Sequence, residues 1–349
     1  METKIITIRE NHIDGSRLQE AGDIIRRGGL VAFPTETVYG LGADALNREA
    51  ACKIYEAKGR PSDNPLIIHI CRWEDIYSVV SQVPQEAEKI ARAFWPGPLT
   101  MILPKSQQVP YETTGGLETV AIRMPSHQIA AKLIDLAGGY IAAPSANTSG
   151  KPSPTLAKHV ITDMRGRIDM IIDGGDVGIG LESTIIDLTV TPPQILRPGY
   201  VTRDMLERVL GTMIMDGAVT ADNMEETPKA PGMKYRHYAP RGEITIVRGK
   251  PEKVVAYINR EAARESHKGE KVGIISTAED LKLYRADSVK NIGSREAEAD
   301  IARHLYRILR EFDDEEVTKI YSEAFEDAGL GQAIMNRLLK AAGHRIVQL

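Results

Sequence analysis

Short apolar runs alternate with stretches of helical periodicity along the first two thirds of the chain, a pattern that predicts a mixed α/β domain. β-Branched and apolar runs place strands near Leu30–Phe33, Leu66–Ile70, Leu99–Leu103, Val120–Arg123, Tyr140–Ala143, Met170–Asp173, Ser183–Leu188 and Gln194–Leu196. Helical spacing fits Asp14–Arg27, Arg48–Lys58, Gln85–Ala93, His127–Ala137, Thr155–Met164 and Thr202–Leu210. The first ten residues alternate apolar and charged positions as a strand does. Between Gly211 and Gly242 periodicity fails, and Glu226–Pro240 mixes prolines and a glycine with the string Lys234-Tyr235-Arg236-His237-Tyr238, the composition of a linker. Beyond it, strands are predicted at Glu243–Val247, Lys271–Ser276, Ser288–Ile292 and Val317–Tyr321, and helices at Pro251–Glu265, Glu296–Phe312 and Ala333–Ala342. This tail reads as a second, smaller, Rossmann-like α/β domain, so the expected division is residues 1–211, a linker over 212–241, and 242–349.

Composition narrows the class. With 349 residues, 42% hydrophobic and 26% charged, the chain is globular and long enough for two domains. Its two cysteines, Cys52 and Cys71, lack CxxC spacing and argue against a disulfide framework or a structural metal; both read as ordinary buried residues. No apolar run approaches a membrane span or a signal-peptide core, so a cytoplasmic location is expected. A net charge of -4 gives no global attraction to nucleic acid, and anion binding must come from a local group of Lys and Arg.

Candidate chemistry gathers just after the predicted strands. Ala143–Thr155 follows one of them with hydroxyls, an amide, a glycine and a lysine, and Ser153-Pro154 reads as a helix N-cap and first turn that would offer N–H groups to a phosphate. It is not a Walker A motif, since Gly150-Lys151 precedes Pro152. In Phe33–Gly42, Thr35 and Thr37 either cap a turn or hold a substrate, and the glycines suit a tight turn or close backbone approach to a ligand. Lys58 and Arg60, separated by a glycine, either converge on an anion or complement a helix C-terminus. His69 sits in an apolar strand as a core or a catalytic residue. Arg123 ends another strand and needs a carboxylate, from a neighbouring side chain or from a small acid. Ser183-Thr184 and Arg197 repeat the pattern, which favours a common cleft at one rim of a sheet.

Seven segments in order carry a family resemblance: Phe33–Gly42, Lys58–Pro65, Trp95–Thr100, Ala143–Asn147, Leu181–Thr184, Leu196–Gly199 and Pro231–Pro240. Together they make the chain similar to two-domain threonylcarbamoyl-AMP synthases, which have a YrdC-type catalytic domain with a twisted mixed sheet, a linker and a C-terminal domain. The resemblance implies a nucleotidyltransferase that uses L-threonine, bicarbonate or CO2, and ATP with Mg2+, and that supplies proteins modifying a tRNA adenosine. It implies threonine binding by Thr37, His69, Arg123, Ala143 and Ser183, and ATP binding by Lys58, Arg60, Asn64, Thr119, Ser145, Asn147, Ser153, Arg197 and His237. Lys58 and Arg60 would offset charge building on the phosphates, and no protein-bound metal or protein nucleophile is expected.

Two alternatives stay open. The same cations would serve an RNA-binding module, and Tyr235, Arg236, His237 and Tyr238 would be either an arm stacking on bases or a lid guarding a water-sensitive anhydride. The C-terminal domain shows no glycine-rich nucleotide fingerprint; Gly329-Leu330-Gly331 precedes a helix but follows no convincing strand, so a structural or regulatory role is expected there.

Overall fold

The computed structural model describes residues 1–216, 228–231 and 237–349. The chain forms two compact units, the first of residues 1–149, 154–178 and 182–234, the second of 150–153, 179–181 and 235–349.

The first unit is built on a mixed sheet of eleven strands among the described residues: β1 (Lys4–Thr7), β2 (Val31–Phe33), β3 (Gly40–Asp44), β4 (Ile67–His69), β5 (Leu99–Pro104), β6 (Thr119–Arg123), β7 (Ile141–Ala142), β8 (Met170–Asp173), β9 (Thr184–Asp187), β10 (Gln194–Arg197) and β11 (Met215–Asp216). Their order is β1-β8-β2-β3-β7-β4-β6-β5-β9-β10-β11. Side chains alternate across it as the strand period demands. Val31 and Phe33 meet Leu18, Ile25, Ile129 and Leu133 of the helices Gly15–Arg26 and Gln128–Leu136 on one face. Ala32 turns to the other face, with Ile54 and Ile90 of the helices Arg48–Lys58 and Gln85–Phe94. Asp14 and Asn47 cap two of these helices with their own side chains, and Gly59 ends the second in the left-handed conformation.

Three sequence expectations change. Gly40–Asp44 is a strand rather than a turn, and Gly42 is there for close packing: a Cβ would stand 2.8 Å from both Phe33 and Ile141. The helix expected from Thr155 starts at Ala157 with Leu156 at its N-cap. Ser153 does not cap it, because the backbone before the helix is drawn into pairing elsewhere. The Pro154 carbonyl accepts from the Tyr39 N–H at 2.9 Å, and the Thr155 carbonyl from Val177 at 3.2 Å. Cys52 lies exposed on the outer face of its helix and Cys71 is only half-buried.

In the second unit, β12 (Glu243–Arg248), β13 (Val272–Ser276), β14 (Ser288–Asn291), β15 (Lys319–Glu323) and β16 (Ile346–Gln348) form a wholly parallel sheet in the order β14-β13-β15-β12-β16. Val254, Ile258 and Ala262 of the helix Pro251–His267 pack on Val247, Val272, Ile274 and Tyr321, while the helices Glu298–Asp314 and Gly329–Ala341 pack on each other. The strand expected at Val317–Tyr321 runs two residues later, which brings Glu323 to its end and puts a strand just ahead of Gly329-Leu330-Gly331. Among the described residues no helix is long and apolar enough to cross a membrane. Lys234, Tyr235 and Arg236, weighed above as arm or lid, lie outside the described residues.

Candidate active site

Neighbouring strands of the first unit bring three polar side chains into register: His69 of β4 pairs with Arg123 of β6, and Arg123 with Thr100 of β5. Ile68, Ile122 and Met101 beside them point into the larger apolar core, so alternation delivers His69, Arg123 and Thr100 to the opposite face. Ser183 directly precedes β9, whose Thr184 pairs with Leu99, and joins the row through a 2.8 Å hydroxyl contact with Thr100. The segment between β2 and β3 adds Thr35, Glu36 and Thr37. All of these residues are buried except Glu36, whose side chain is 14% exposed.

Arg123 organises the row. Its Nη1 donates to Thr37 Oγ1 at 2.9 Å, and its Nη2 lies 2.7 Å from Glu36 Oε1. That ion pair is close but poorly aligned. Among the described residues, Arg123 Nε and Nη2 and both Glu36 oxygens are buried without a hydrogen-bond partner of proper geometry. Burial opposes ionisation of Glu36, yet the charge of Arg123 and its hydrogen bonding outweigh it and hold the carboxyl below its usual range. Burial, with the same guanidinium as the second cause, pushes the His69 imidazole down to about 3, so it is neutral at physiological pH. His69 Nδ1 lies 3.1 Å from the Ile67 carbonyl, an oxygen that can only accept, and the ring makes a further backbone hydrogen bond at Ile141.

Proton counting restricts Thr37 in the same way. Thr35 Oγ1 donates to the Val38 carbonyl at 2.6 Å, so in its 2.9 Å contact with Thr37 the proton comes from Thr37. Thr37 thus spends its proton on Thr35 and one lone pair on Arg123, and has only acceptance left to offer. Ser183 is braced by Arg197, whose Nη2 and Nε donate to its hydroxyl at 3.2 Å and its carbonyl at 3.1 Å.

The other predicted residues fall around this row. Ala143 follows β7 and donates its N–H to the Ile67 carbonyl at 2.9 Å, so its N–H is already spent within the sheet. Lys58, buried at the end of its helix, donates to the carbonyls of Ser145 and Asn147 and ties that loop down. Arg60 folds instead onto the carbonyls of Asn64 and Pro65, at 3.2 and 3.1 Å. The two cations therefore brace different loops. Ser145 donates to Asn147 Oδ1 at 2.6 Å, while the buried Asn64 Oδ1 has no partner among the described residues. Thr119 opens β6 and stands about 13 Å along the strand from Arg123, on the same face. Ile67, Ala121, Ile102, Ile185 and Leu196 form an apolar patch covered by Ala230. Arg197 Nη1 also reaches the Pro231 carbonyl at 3.2 Å. Ser153 and His237 are counted in the second unit, where Ser153 is buried and the His237 ring lies 5.6 Å from that of Tyr238.

The sequence matches two family profiles in tandem, "Telomere recombination" over residues 23–199 and "Threonylcarbamoyl-AMP synthase, C-terminal domain" over 201–343. A threonylcarbamoyl-AMP synthase of Pyrococcus abyssi is 51% identical over 347 residues, covering 99% of this chain and all of the relative. One from Bacillus subtilis is 47% identical over 95% of this chain and 94% of its own length. The chain belongs to the threonylcarbamoyl-AMP synthase family. The solved structure of P. abyssi Sua5 complexed with L-threonine superposes with a TM-score of 0.94 at 51% identity, over 99% of this chain and all of that one.

For a threonylcarbamoyl-AMP synthase, the residue that sequence reading passed over is Glu36. It stands within the quoted Phe33–Gly42 segment, and its signal was the need of Arg123 for a carboxylate, met here from a loop remote in sequence. Thr100 was also missed, since threonine is at home in a strand and nothing marks it until Ser183 is beside it.

Proposed function

We infer that this chain is a nucleotidyltransferase that joins L-threonine, bicarbonate or CO2 and ATP into threonylcarbamoyl-AMP, releasing pyrophosphate. The observation that carries this reading is the juxtaposition of Arg123 and Glu36, a guanidinium and a carboxylate 2.7 Å apart whose contact leaves Arg123 Nε without a hydrogen-bond partner among the described residues. An α-amino acid suits both groups at once, its carboxylate taking Arg123 Nε and its ammonium approaching Glu36. Thr37 accepts a hydrogen bond from the amine or the β-hydroxyl. A neutral imidazole at His69 adds no positive charge against an ammonium that must lose its proton to react.

Once neutral, the amine nitrogen bonds to the carbon of CO2 as one C–O π bond opens, and an N–H proton leaves to solvent, giving the carbamate. A carbamate oxygen then bonds to the α-phosphorus of ATP, and the bond from that phosphorus to the bridging oxygen breaks, releasing pyrophosphate. The chain's part is positioning and charge compensation. Lys58, Arg60 and Asn64 would border the phosphates, the Ser145–Asn147 loop would hold the nucleotide, and the apolar patch on Ile67, Ala121 and Leu196 suits a base or ribose, with Thr119 at its far end. Apart from Glu36, which Arg123 engages, these groups are neutral or cationic and do not suit a hard dication alone. Mg2+ would therefore enter with ATP, held mainly through phosphate oxygens. Residues 228–231 pack over the patch, which supports a lid role for the linker. The product would pass, in the cytoplasm, to proteins that transfer the threonylcarbamoyl group to tRNA. Pyrophosphate release measured with threonine, bicarbonate and ATP each left out in turn tests this: all three should be required, and release independent of threonine would overturn it.

A further inference from the structure

The helix Glu298–Asp314 of the second unit uses two rows of side chains for different purposes. Ile301, Leu305, Ile308 and Phe312 are buried and apolar, and Phe312 lies against β13 at Gly273, where a Cβ would stand 2.6 Å from its ring. About 100° round the helix, a second row runs through Ala302 or Arg303, Tyr306, Arg310 and Asp313. It meets three stretches of the same unit that are far apart in sequence: 150–153, 179–181 and the chain from His237 onward. Gly180 lies so close that a Cβ would stand 2.4 Å from Arg303 Cα and 2.6 Å from the Ala302 carbonyl. The Tyr238 ring stacks on Tyr306 with centroids 5.2 Å apart, and Asp313 accepts the Arg241 N–H at 2.6 Å. Tyr238 has φ 65°, in the left-handed region that a tyrosine holds only where its surroundings fix it.

The remaining stretch is held by Arg310. This guanidinium is only 7% exposed, and a charge taken that far from water needs acceptors. Its Nε and Nη2 both donate to the Pro152 carbonyl, at 3.0 and 2.5 Å. The sequence there explains why the partner comes from far along the chain. Prolines on both sides of Ser153 remove two N–H groups and fix φ, so a run of regular backbone pairing does not form locally. A second tie joins the Gly150 carbonyl to the Ala239 N–H at 2.9 Å. Only Thr148 and Ser149 separate this segment from the Ser145–Asn147 loop, and it ends at Ser153, which is buried. Lys58 ties that loop from one side in sequence, and Arg310 holds the chain just beyond it.

We propose that Arg310 is a positioning residue for ATP: by holding the Pro152 carbonyl it fixes Ser153 and the end of the Ser145–Asn147 loop, without touching the nucleotide. The proposal rests on the reading of that loop as the nucleotide holder. Steady-state pyrophosphate release and amide hydrogen exchange, both on the full chain, separate it from a staple that merely supports the fold. Arg310→Ala should raise KM for ATP about tenfold, the scale of one lost hydrogen bond to a charged group, while KM for threonine stays within about twofold. The Lys151 and Ser153 amides should exchange faster in the same variant. Arg310→Lys keeps one donor and should bring the rise in KM for ATP back to about threefold. Thermal unfolding checks that Arg310→Ala folds; if it does not, Arg310→Lys decides. An unchanged KM for ATP, equal rises in both constants, or unaltered exchange in the variant that decides overturns the role of Arg310. Pyrophosphate release by the unsubstituted chain that fails to depend on ATP overturns the reading of the loop instead.

Discussion

Each unit of this protein holds a buried carboxylate beside an arginine, and the two pairs are finished to different degrees. Glu36, in the segment between β2 and β3, stands 2.7 Å from Arg123 at the end of β6, in a contact that leaves Arg123 Nε unspent. Glu323 ends a strand of a parallel sheet, where Arg295 and Thr277 engage one oxygen, Ser276 stands 3.5 Å from the other, and the Tyr284 hydroxyl lies against the carboxylate. An ion pair that closes on itself is structure; one that leaves a donor open is poised for a molecule that closes it. The difference lies in what surrounds the charges. Arg123 has a second, neutral partner in Thr37 and so need not swing fully onto Glu36, whereas Arg295 is shared between the carboxylates of Glu323 and Asp280.

Truncating Arg123 should break the first pair most severely. Arg123→Ala strands a buried Glu36 and removes the carboxylate partner, so threonine-dependent pyrophosphate release should fall by about 10³-fold, the equivalent of ~4 kcal/mol; a fall below tenfold would mean the pair does not hold the substrate. Lys58→Ala should come next, cutting release by about 10²-fold and lowering the melting temperature as well, because the lysine also ties down the Ser145–Asn147 loop. A loss of activity with no change in melting temperature would assign Lys58 to the phosphates alone. Glu36→Gln keeps the shape but not the charge, and should raise KM for threonine about tenfold with little effect on KM for ATP. Equal changes in both constants would remove Glu36 from the amino-acid site.

The smallest effect concerns pH. The His69 pKa is lowered from 6.5 to about 3, so its contribution to stability is fully present above 6.5 and is lost as pH falls toward 3. Unfolding free energy should therefore fall by up to about 1.4 kcal/mol per pH unit in that window from this group, and His69→Gln should flatten the slope. Glu36, whose pKa is also lowered, adds to the loss only below the ordinary carboxylate range. An unchanged slope in the variant would show that His69 is not buried neutral.

The first unit was the more legible of the two for a physical reason. His69 and Arg123 interrupt apolar strands, so their polarity shows as a defect in an otherwise regular pattern, and strand register brings the defects together. Glu323 interrupts nothing. It ends a strand whose start the sequence placed two residues early, and in that frame it reads as one more loop acid. Gly40–Asp44 was hidden by the converse effect: two glycines signal a turn, and only the crossing of Phe33 and Ile141 over Gly42 shows why a strand needs one there. The helix start near Ser153 was misplaced because the competing partner, Tyr39, is remote in sequence and leaves no local trace.

Thr37 carries a last consequence. Its one proton is spent on Thr35, so its hydroxyl can receive a hydrogen atom but has none to give. In the amino-acid site proposed above it would work as a filter on the guest's own protons. A guest with an N–H or O–H at this position is accepted, while one of nearly the same shape that presents an ether or ketone oxygen sets lone pair against lone pair. Methylating the β-hydroxyl of threonine would therefore cost recognition beyond the bulk of the added carbon.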